Sequence, residues 1–353
     1  MKDRIELIKE LSELFGPAGC EGAVAAYIRA ALSDMGAELL EDKMGNLIAH
    51  LPAKDAGARR VMLSAHMDEV GFMVTEIDEH GFLHFANLGG IDPAVMVGRL
   101  CLVGNEERRV QGVISAKGIH FQTKEEREKP PAADDLYIDI GVRDKAAAEA
   151  LVSLGDFGTF DTEFLTFGEN DAYISGKALD DRVGCAILIE VLRALADKSL
   201  PLDLYFCFTV REELGISGAA VVTNRIEPEI AFVLETTAIA DLPDVPAARR
   251  VADVGSGGVL SLLDRASIYD RDLVDFALKI GAAQRIPVQV KRFVSGGNDT
   301  GHIQRQGRGV RCLALSAPTR YLHAPVSVAA MRDITAMVDL LVAMLKDLEK
   351  EKQ

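Results

Sequence analysis

The sequence lacks three features that would place it in a special class: paired cysteines, long apolar runs and an excess of positive charge. Its five cysteines are scattered and form no Cys-x-x-Cys pair, which argues against a disulfide framework or a thiolate zinc site. No apolar run approaches the ~18 residues of a membrane span, so we expect no membrane partner. Asp and Glu outnumber Lys and Arg by 54 to 39, which argues against binding to nucleic acid or anionic lipid. The first residues mix charges and lack the apolar core of a signal peptide, so we expect a soluble cytoplasmic protein.

The pattern of strands and helices changes twice along the 353 residues, a length that suits about two domains. Alternating apolar strands and helices before and after the middle segment predict an α/β fold, with a mostly parallel sheet covered by helices on both faces. Many short strands with Gly-containing turns between them predict a small β-barrel or sandwich. We therefore expect one domain formed by residues 1–69 and 162–353, and a β-rich domain inserted at residues 70–161.

Several local elements follow from the same patterns. Helical periodicity predicts helices over Glu21–Met35, Asp180–Leu195 and Val328–Leu348. The charged, proline-containing segment Thr123–Pro131 predicts a solvated loop. Compact apolar runs predict buried strands at 61–65, 204–209 and 230–234, as in the centre of a parallel sheet.

Ionisable residues follow the three apolar strands, and others lie at a helix start and in a late loop. In open α/β sheets, ligands bind at the carboxyl ends of the strands, so we expect these side chains to face one crevice. The residues are His66, Asp68, Asp180, Glu212, Glu213, Glu235 and His323.

This mixture of His and carboxylates without thiolates suits a divalent metal such as Zn, Co or Mn. There are more ligands than one catalytic zinc needs, and they suit two metals ~3.5–4 Å apart that share a bridging carboxylate. A spare carboxylate beside the metals can act as general base, and Glu212, adjacent to the candidate ligand Glu213, is placed for that role. Asp68 lies two residues after His66, so it is a candidate to orient the imidazole ring.

Four motifs, in this order, resemble those of the M42 metallo-aminopeptidases. They are Ser64–Gly71, Lys177–Arg182, Arg211–Gly215 and Tyr321–Pro325. The resemblance covers almost the whole chain, including the inserted segment. It implies two divalent metal ions per subunit and Glu212 as the base that activates metal-bound water. The ligand set that it implies is His66 with Glu235 for one metal, Glu213 with His323 for the other, and Asp180 as the bridge.

The resemblance also implies a substrate class and an assembly. Enzymes of this family remove N-terminal residues from short peptides. They pair through the inserted domain and close into tetrahedral homododecamers with active sites that face an interior chamber. From this resemblance we expect residues 70–161 to form a dimerisation domain.

Other functions remain open at this stage. A carboxypeptidase or deacylase with the same two-metal site is the main alternative. Many family members have Asp where this sequence has Glu235, and among related two-metal peptidases Glu at this position is also associated with carboxypeptidases and deacylases. The position of the insert, between His66 and Asp180, favours an aminopeptidase, since carboxypeptidase-like relatives carry theirs later in the chain. A glycosidase would need only two carboxylates, and the chain has no Trp for sugar stacking. A non-catalytic binding protein would not need the full set of competent residues.

Overall fold

The computed structural model describes residues 1–55, 57–198 and 200–348. The helices, α1 to α10 in chain order, are Lys2–Glu13, Gly22–Leu32, Pro93–Met96, Lys124–Arg127, Lys145–Glu149, Leu179–Leu195, Gly218–Ile226, Arg271–Gln284, Thr300–Ile303 and Met331–Asp347. Within these ranges, each helix is too short or too polar to cross a bilayer.

The strands divide between a large sheet and a closed barrel. In chain order, β1 to β17 are Glu38–Glu41, Leu47–Leu51, Arg59–His66, Gly71–Ile77, Leu83–Leu88, Leu100–Gly104, Arg109–Ser115, Tyr137–Asp139, Phe157–Phe160, Leu165–Phe167, Tyr173–Gly176, Leu202–Thr209, Ile230–Ala238, Gly258–Leu260, Val288–Val290, Arg311–Arg320 and Ser327–Ala330.

The large sheet has the order β1-β2-β12-β3-β13-β16-β17-β11-β10. Its four central strands, β12, β3, β13 and β16, are parallel to one another, and antiparallel strands extend it on both sides. The predicted α/β fold is therefore confirmed. Parallel strands lie at the centre because the connections that cross the sheet carry helices, which cover both faces.

The central strands are buried on both faces, which explains their uninterrupted apolar runs. In β3, Val61 and Leu63 pack in a core that includes α1, α2, α6, α8 and α10. Met62 points to the other face and packs with residues of α7 and α9. All five cysteines are free and buried, so they pack as small core residues.

The inserted strands form a closed barrel in the order β4-β5-β8-β7-β6-β9, all between Gly71 and Phe160. The barrel has its own apolar core, in which Phe72 contacts the rings of Phe85 and Phe160. At Gly158 any side chain would collide with that core, because a Cβ would lie 1.9 Å from Cε2 of Phe72.

Three local predictions need correction. The predicted helix Val328–Leu348 begins only at Met331, because residues 327–330 form β17, which pairs with β11 and β16. The predicted loop Thr123–Pro131 contains one helical turn, α4, since Thr123 and Glu126 form a capping box. The helix predicted over Glu21–Met35 is shorter at both ends, as α2 shows.

Candidate metal centre

The carboxyl ends of three parallel strands bring most of the predicted residues together. His66 ends β3, and it pairs in register with Thr209, the last residue of β12. The chain that leaves β12 therefore carries Glu212 and Glu213 past His66. Glu235 lies on β13, the other neighbour of β3. The structure therefore brings these side chains together at one edge of the sheet, as the sheet topology predicts.

Asp180 and His323 reach the same place from two connecting segments. Asp180 lies at the start of α6 with non-helical backbone angles, and the regular helix follows it. The side chain of Asp181 accepts a hydrogen bond from the N–H of Gly184 at 3.0 Å, so this residue caps the regular part of the helix. His323 lies in the turn between β16 and β17.

Several residues in the segments around this cluster have left-handed backbone angles. Four non-glycine residues near the candidate ligands have positive φ values: Ala178, Arg211, Tyr321 and His323, between 52° and 60°. Such angles are uncommon outside glycine and persist only where the surrounding structure holds them. Their position beside the cluster indicates that side-chain placement, rather than local preference, determines the backbone here.

Each imidazole ring is held through Nδ1 by a backbone carbonyl. Nδ1 of His66 lies 3.0 Å from the carbonyl oxygen of Asp68, and Nδ1 of His323 lies 3.0 Å from that of Gly90, in the inserted segment. These contacts suit a proton on Nδ1 and leave Nε2 of both rings free to bind a metal. The carboxylate of Asp68, predicted to orient His66, lies farther from Nδ1, at 3.5 Å.

The Asp68 carboxylate instead holds the segment that carries the two glutamates. Its Oδ1 accepts the backbone N–H of Glu212 and its Oδ2 accepts that of Glu213, both at 3.0 Å. The preceding N–H, of Arg211, donates to Oε1 of Glu21 at 3.1 Å. Three successive amides are therefore fixed by buried carboxylates, which orients the glutamates toward the cluster.

The carboxylate of Asp180 lies between the two imidazoles. Its Oδ1 is 3.4 Å from Nε2 of His66, and its Oδ2 is 3.3 Å from Nε2 of His323. Oε2 of Glu235 lies 3.9 Å from Nε2 of His66, and Oε1 of Glu213 lies 3.2 Å from Nε2 of His323. All five predicted ligands thus form two groups that share one carboxylate.

The donor atoms of these groups fit divalent metal ions. His66, Asp180 and Glu235 offer atoms within 4.8 Å of one another, and so do Asp180, Glu213 and His323. Oδ1 of Asp180 and Oε1 of Glu213 are buried, yet among the described residues neither accepts a hydrogen bond. Buried carboxylate oxygens without donors are costly, and a cation would satisfy them. The N/O donor set is one that Zn, Co and Mn accept.

Burial and close charges shift the pKa values across the cluster. Burial alone would lower the pKa of His323, but the carboxylates of Asp180 and Glu213 outweigh it and raise the pKa to about 11. Burial raises the pKa of Glu212 well above its ordinary value, as do the charges of Asp299 and Glu213, although His66 opposes them. Carboxyl groups that hold their protons this tightly are strong proton acceptors once ionised.

Two buried carboxylates beside the cluster were not predicted. Glu21 reaches the segment at 211–213 from the start of α2, as described above. Asp299 accepts the hydroxyl hydrogen of Thr209 at 2.8 Å. Burial raises the pKa of Asp299 to about 6. Neither follows an apolar strand, so the signal that identified the other residues does not apply to them.

The family model for M42 glutamyl aminopeptidase matches residues 45–340. The chain is 30% identical to a glutamyl aminopeptidase of Lactococcus lactis, over 98% of this chain and 96% of that protein. It is also 30% identical to a lysyl aminopeptidase of Pyrococcus furiosus, over 98% of this chain and 97% of that protein. This chain therefore belongs to the M42 peptidase family and is an aminopeptidase, a hydrolase that acts on peptide bonds.

Solved structures agree with this assignment. The TET aminopeptidase of the archaeon Thaumarchaeota SCGC AB-539-E09 superposes with a TM-score of 0.94 at 31% identity, over 98% of this chain and 97% of that one. The TET1 peptidase of Pyrococcus horikoshii, which can assemble into a tetrahedron or a large octahedral shell, superposes with a TM-score of 0.86. It is 33% identical, over 97% of this chain and 99% of that one.

Proposed function

We propose that this protein removes N-terminal residues from short peptides at a site with two divalent metal ions of Zn, Co or Mn. The observation that carries the proposal is the position of Asp180, which presents one oxygen to each imidazole at 3.4 and 3.3 Å. A carboxylate shared in this way suits two cations side by side. The cytoplasmic location expected from the sequence remains a prediction.

The residues assigned to the metals follow the two groups of donors. His66 and Glu235 would hold one ion, Glu213 and His323 the other, and Asp180 would bridge them. When bound, the ions polarise the scissile carbonyl and lower the pKa of the attacking water.

Glu212 is the proposed general base. Its side chain is half-buried beside His66 and Asp180, and the hydrogen bond from its backbone N–H to Asp68 fixes the backbone from which the side chain extends. In the proposed reaction the Glu212 carboxylate takes a proton from the attacking water and delivers it to the leaving amine. Asp68 is a positioning residue for this step.

The charges around the site favour an α-amine over a terminal carboxylate. Asp180, Glu212, Glu213 and Glu235 make the site acidic. Arg182, which could have clamped a carboxylate, is fully buried. Its guanidinium donates to the carbonyls of residues 11, 16 and 67 at 2.5, 3.2 and 2.7 Å. The arginine closest in sequence to Asp180 is therefore engaged with the backbone and is not available as a clamp for a terminal carboxylate.

Mass spectrometry of an unmodified short peptide tests the direction of cleavage. We expect stepwise loss from the N-terminus, strong slowing by N-terminal acetylation and little effect of C-terminal amidation. The reverse response to the two end modifications would favour the carboxypeptidase alternative.

Removal of the metals tests the two-metal site. A strong chelator should abolish the activity, and Zn, Co or Mn should restore it. Full activity in protein shown by elemental analysis to be metal-free would contradict the two-metal site.

We further propose a homododecamer built from dimers that pair through the barrel. Assembly into closed shells is described for the TET1 peptidase of Pyrococcus horikoshii, which this chain resembles along almost its whole length. The segment that follows β7 carries strongly exposed apolar side chains, Ile119 at 60% and Phe121 at 78% exposure. Apolar groups in such positions are suited to contact another copy.

A further inference from the structure

A cavity of about 140 Å³ adjoins the candidate metal centre. Asp180, Glu212, Glu235 and His323 form part of its lining, so a group inside it lies beside the proposed reaction. A cavity of ~150 Å³ holds a molecule about the size of benzene, so this one suits a single amino-acid side chain. In an aminopeptidase, that side chain belongs to the N-terminal residue of the substrate.

Lys291 also lines this cavity, with its ammonium group only partly engaged. Its Nζ donates to the carbonyl of Ser295 at 2.8 Å. No carboxylate in the described part of the chain lies within 4 Å of it. An ammonium group has three N–H donors, so two remain available. Burial lowers the pKa of Lys291, whereas Asp264 and Glu235 oppose that shift and favour the charged form.

Asp264 lines the same cavity, but its oxygens are occupied. Oδ1 accepts the backbone N–H groups of Ala266 and Ser267, both at 2.7 Å. Oδ2 accepts the hydroxyl hydrogen of Tyr269. Asp264 therefore stabilises its own turn and has little capacity left to bind a cationic ligand.

Thr236 supplies a second polar group that can bind a ligand. Its side chain lines the cavity and is 7% exposed, and within the described ranges its hydroxyl makes no hydrogen bond. A buried hydroxyl left unpaired is costly, so it is suited to a ligand that can accept its proton. Lys291, which follows β15, and Thr236, on β13, therefore offer hydrogen-bond donors to the same cavity.

We propose that this cavity receives the side chain of the substrate's N-terminal residue, and that Lys291 and Thr236 select a carboxylate there. The protein then prefers peptides that begin with Glu or Asp. This inference rests on the proposed aminopeptidase function. Family membership does not decide the point, because the similar proteins named above include both a glutamyl and a lysyl aminopeptidase.

The test compares p-nitroanilides of Glu, Gln, Leu and Lys with the metal-loaded enzyme. Glu and Gln have the same shape and differ in charge, so their ratio of kcat/KM reports recognition of the carboxylate. We expect the Glu substrate to exceed the Gln substrate by about tenfold or more, since a hydrogen bond to a charged group is worth at least that factor. The Lys substrate should be the poorest.

Two variants locate the preference. Lys291→Met keeps the length of the side chain and removes its charge, and it should bring the Glu/Gln ratio close to one. Thr236→Val keeps the shape and removes the hydroxyl, and it should lower the ratio by several-fold. Lys279→Met, on the exposed side of α8, is the matched control and should leave the ratio unchanged.

The outcomes separate this inference from the proposed function. Cleavage of all four anilides with a Glu/Gln ratio near one would overturn the carboxylate preference and leave the aminopeptidase intact. A preference for Lys would mean that Asp264, and not Lys291, faces the substrate. Failure to cleave any anilide, with intact cleavage of peptides that have a free C-terminus, would overturn the proposed function itself and make Lys291 a candidate clamp for the terminal carboxylate.

Discussion

The carboxylate of Asp68 accepts the backbone N–H of Glu212 at 3.0 Å, across a separation of 144 residues. Asp68, a buried acid two residues after the end of β3, thus fixes the backbone position of Glu212, the proposed base. The same carboxylate holds the N–H of Glu213, a candidate metal ligand, through its other oxygen. Base and ligand are therefore fixed relative to each other through one side chain.

Asp68→Asn should lower kcat by about 10- to 100-fold, the range typical of residues that orient metal ligands. The amide has one oxygen, so it can accept only one of the two N–H groups and turns a donor toward the other. Because Asp68 does not contact substrate in the proposed reaction, KM should change little. Steady-state kinetics with the metal-loaded variant measures this split.

Asp78→Asn is the matched control for this variant. Asp78 also accepts two backbone N–H groups, from His80 and Phe82 at 2.8 and 2.9 Å, but it does so in the β4–β5 turn of the barrel. The activity of the Asp78→Asn variant should stay close to that of the unmodified protein. A wild-type kcat for Asp68→Asn would remove Asp68 from the mechanism.

Glu212→Gln should reduce turnover by about 10²- to 10⁴-fold, because the amide keeps the shape of the side chain and cannot accept the proton. Metal content, measured by elemental analysis, should not change. The exposed Glu107→Gln is the control for loss of one negative charge. If Glu212→Gln lost metal while Glu213→Gln kept it, the two roles would be exchanged.

Metal binding should release protons. In the metal-free protein, Asp180 and Glu213 raise the pKa of His323 to about 11, so the ring is protonated at neutral pH, whereas a metal binds the neutral ring. Affinity should therefore rise with pH, by up to about tenfold per unit for each proton displaced, until the pH approaches 11.

Titration calorimetry at one pH in two buffers of different ionisation enthalpy measures the released protons. The heat of Zn²⁺ binding should differ between the buffers. The exposed His80→Gln variant should show the same difference as the unmodified protein. Equal heats in both buffers would mean that His323 is already neutral before the metal binds.

Gly158→Ala should destabilise the barrel by about 1–3 kcal/mol, the usual cost of overpacking a core. The added Cβ would lie 1.9 Å from Cε2 of Phe72, a fully buried ring. Gly118→Ala is the control, because its Cβ would make an ordinary contact of 3.6 Å with Phe121. Thermal melts should show a lower Tm for the first variant only, and equal Tm values would show that the barrel absorbs the extra group.

Light scattering at micromolar concentration should give the mass of twelve chains. The proposed shell restricts access to short peptides because the active sites face its interior. Unfolded proteins should therefore be poor substrates compared with peptides of the same sequence. A fully active monomer at that concentration would refute the assembly.

The sequence by itself predicted the fold class and the cluster, for a reason that is visible in β3, β12 and β13. Parallel strands that are covered on both faces have uninterrupted apolar runs, and their carboxyl ends lie at one edge of the sheet. Residues that follow such runs can therefore be placed together before the structure is known. His66, Glu213 and Glu235 were predicted in this way.

Only the tertiary structure decided how the remaining groups are used. Residues 327–330 fit either a helix or a strand, and pairing with β11 and β16 makes them β17. Arg182 could have bound substrate, but it donates to backbone carbonyls in the core. Lys291 has no pattern around it that distinguishes it from a surface lysine. The partners of Arg182 lie more than 100 residues away in the chain, and the cavity around Lys291 is formed by several separate segments. A side chain's role therefore depends on which donors and acceptors folding brings within about 3 Å.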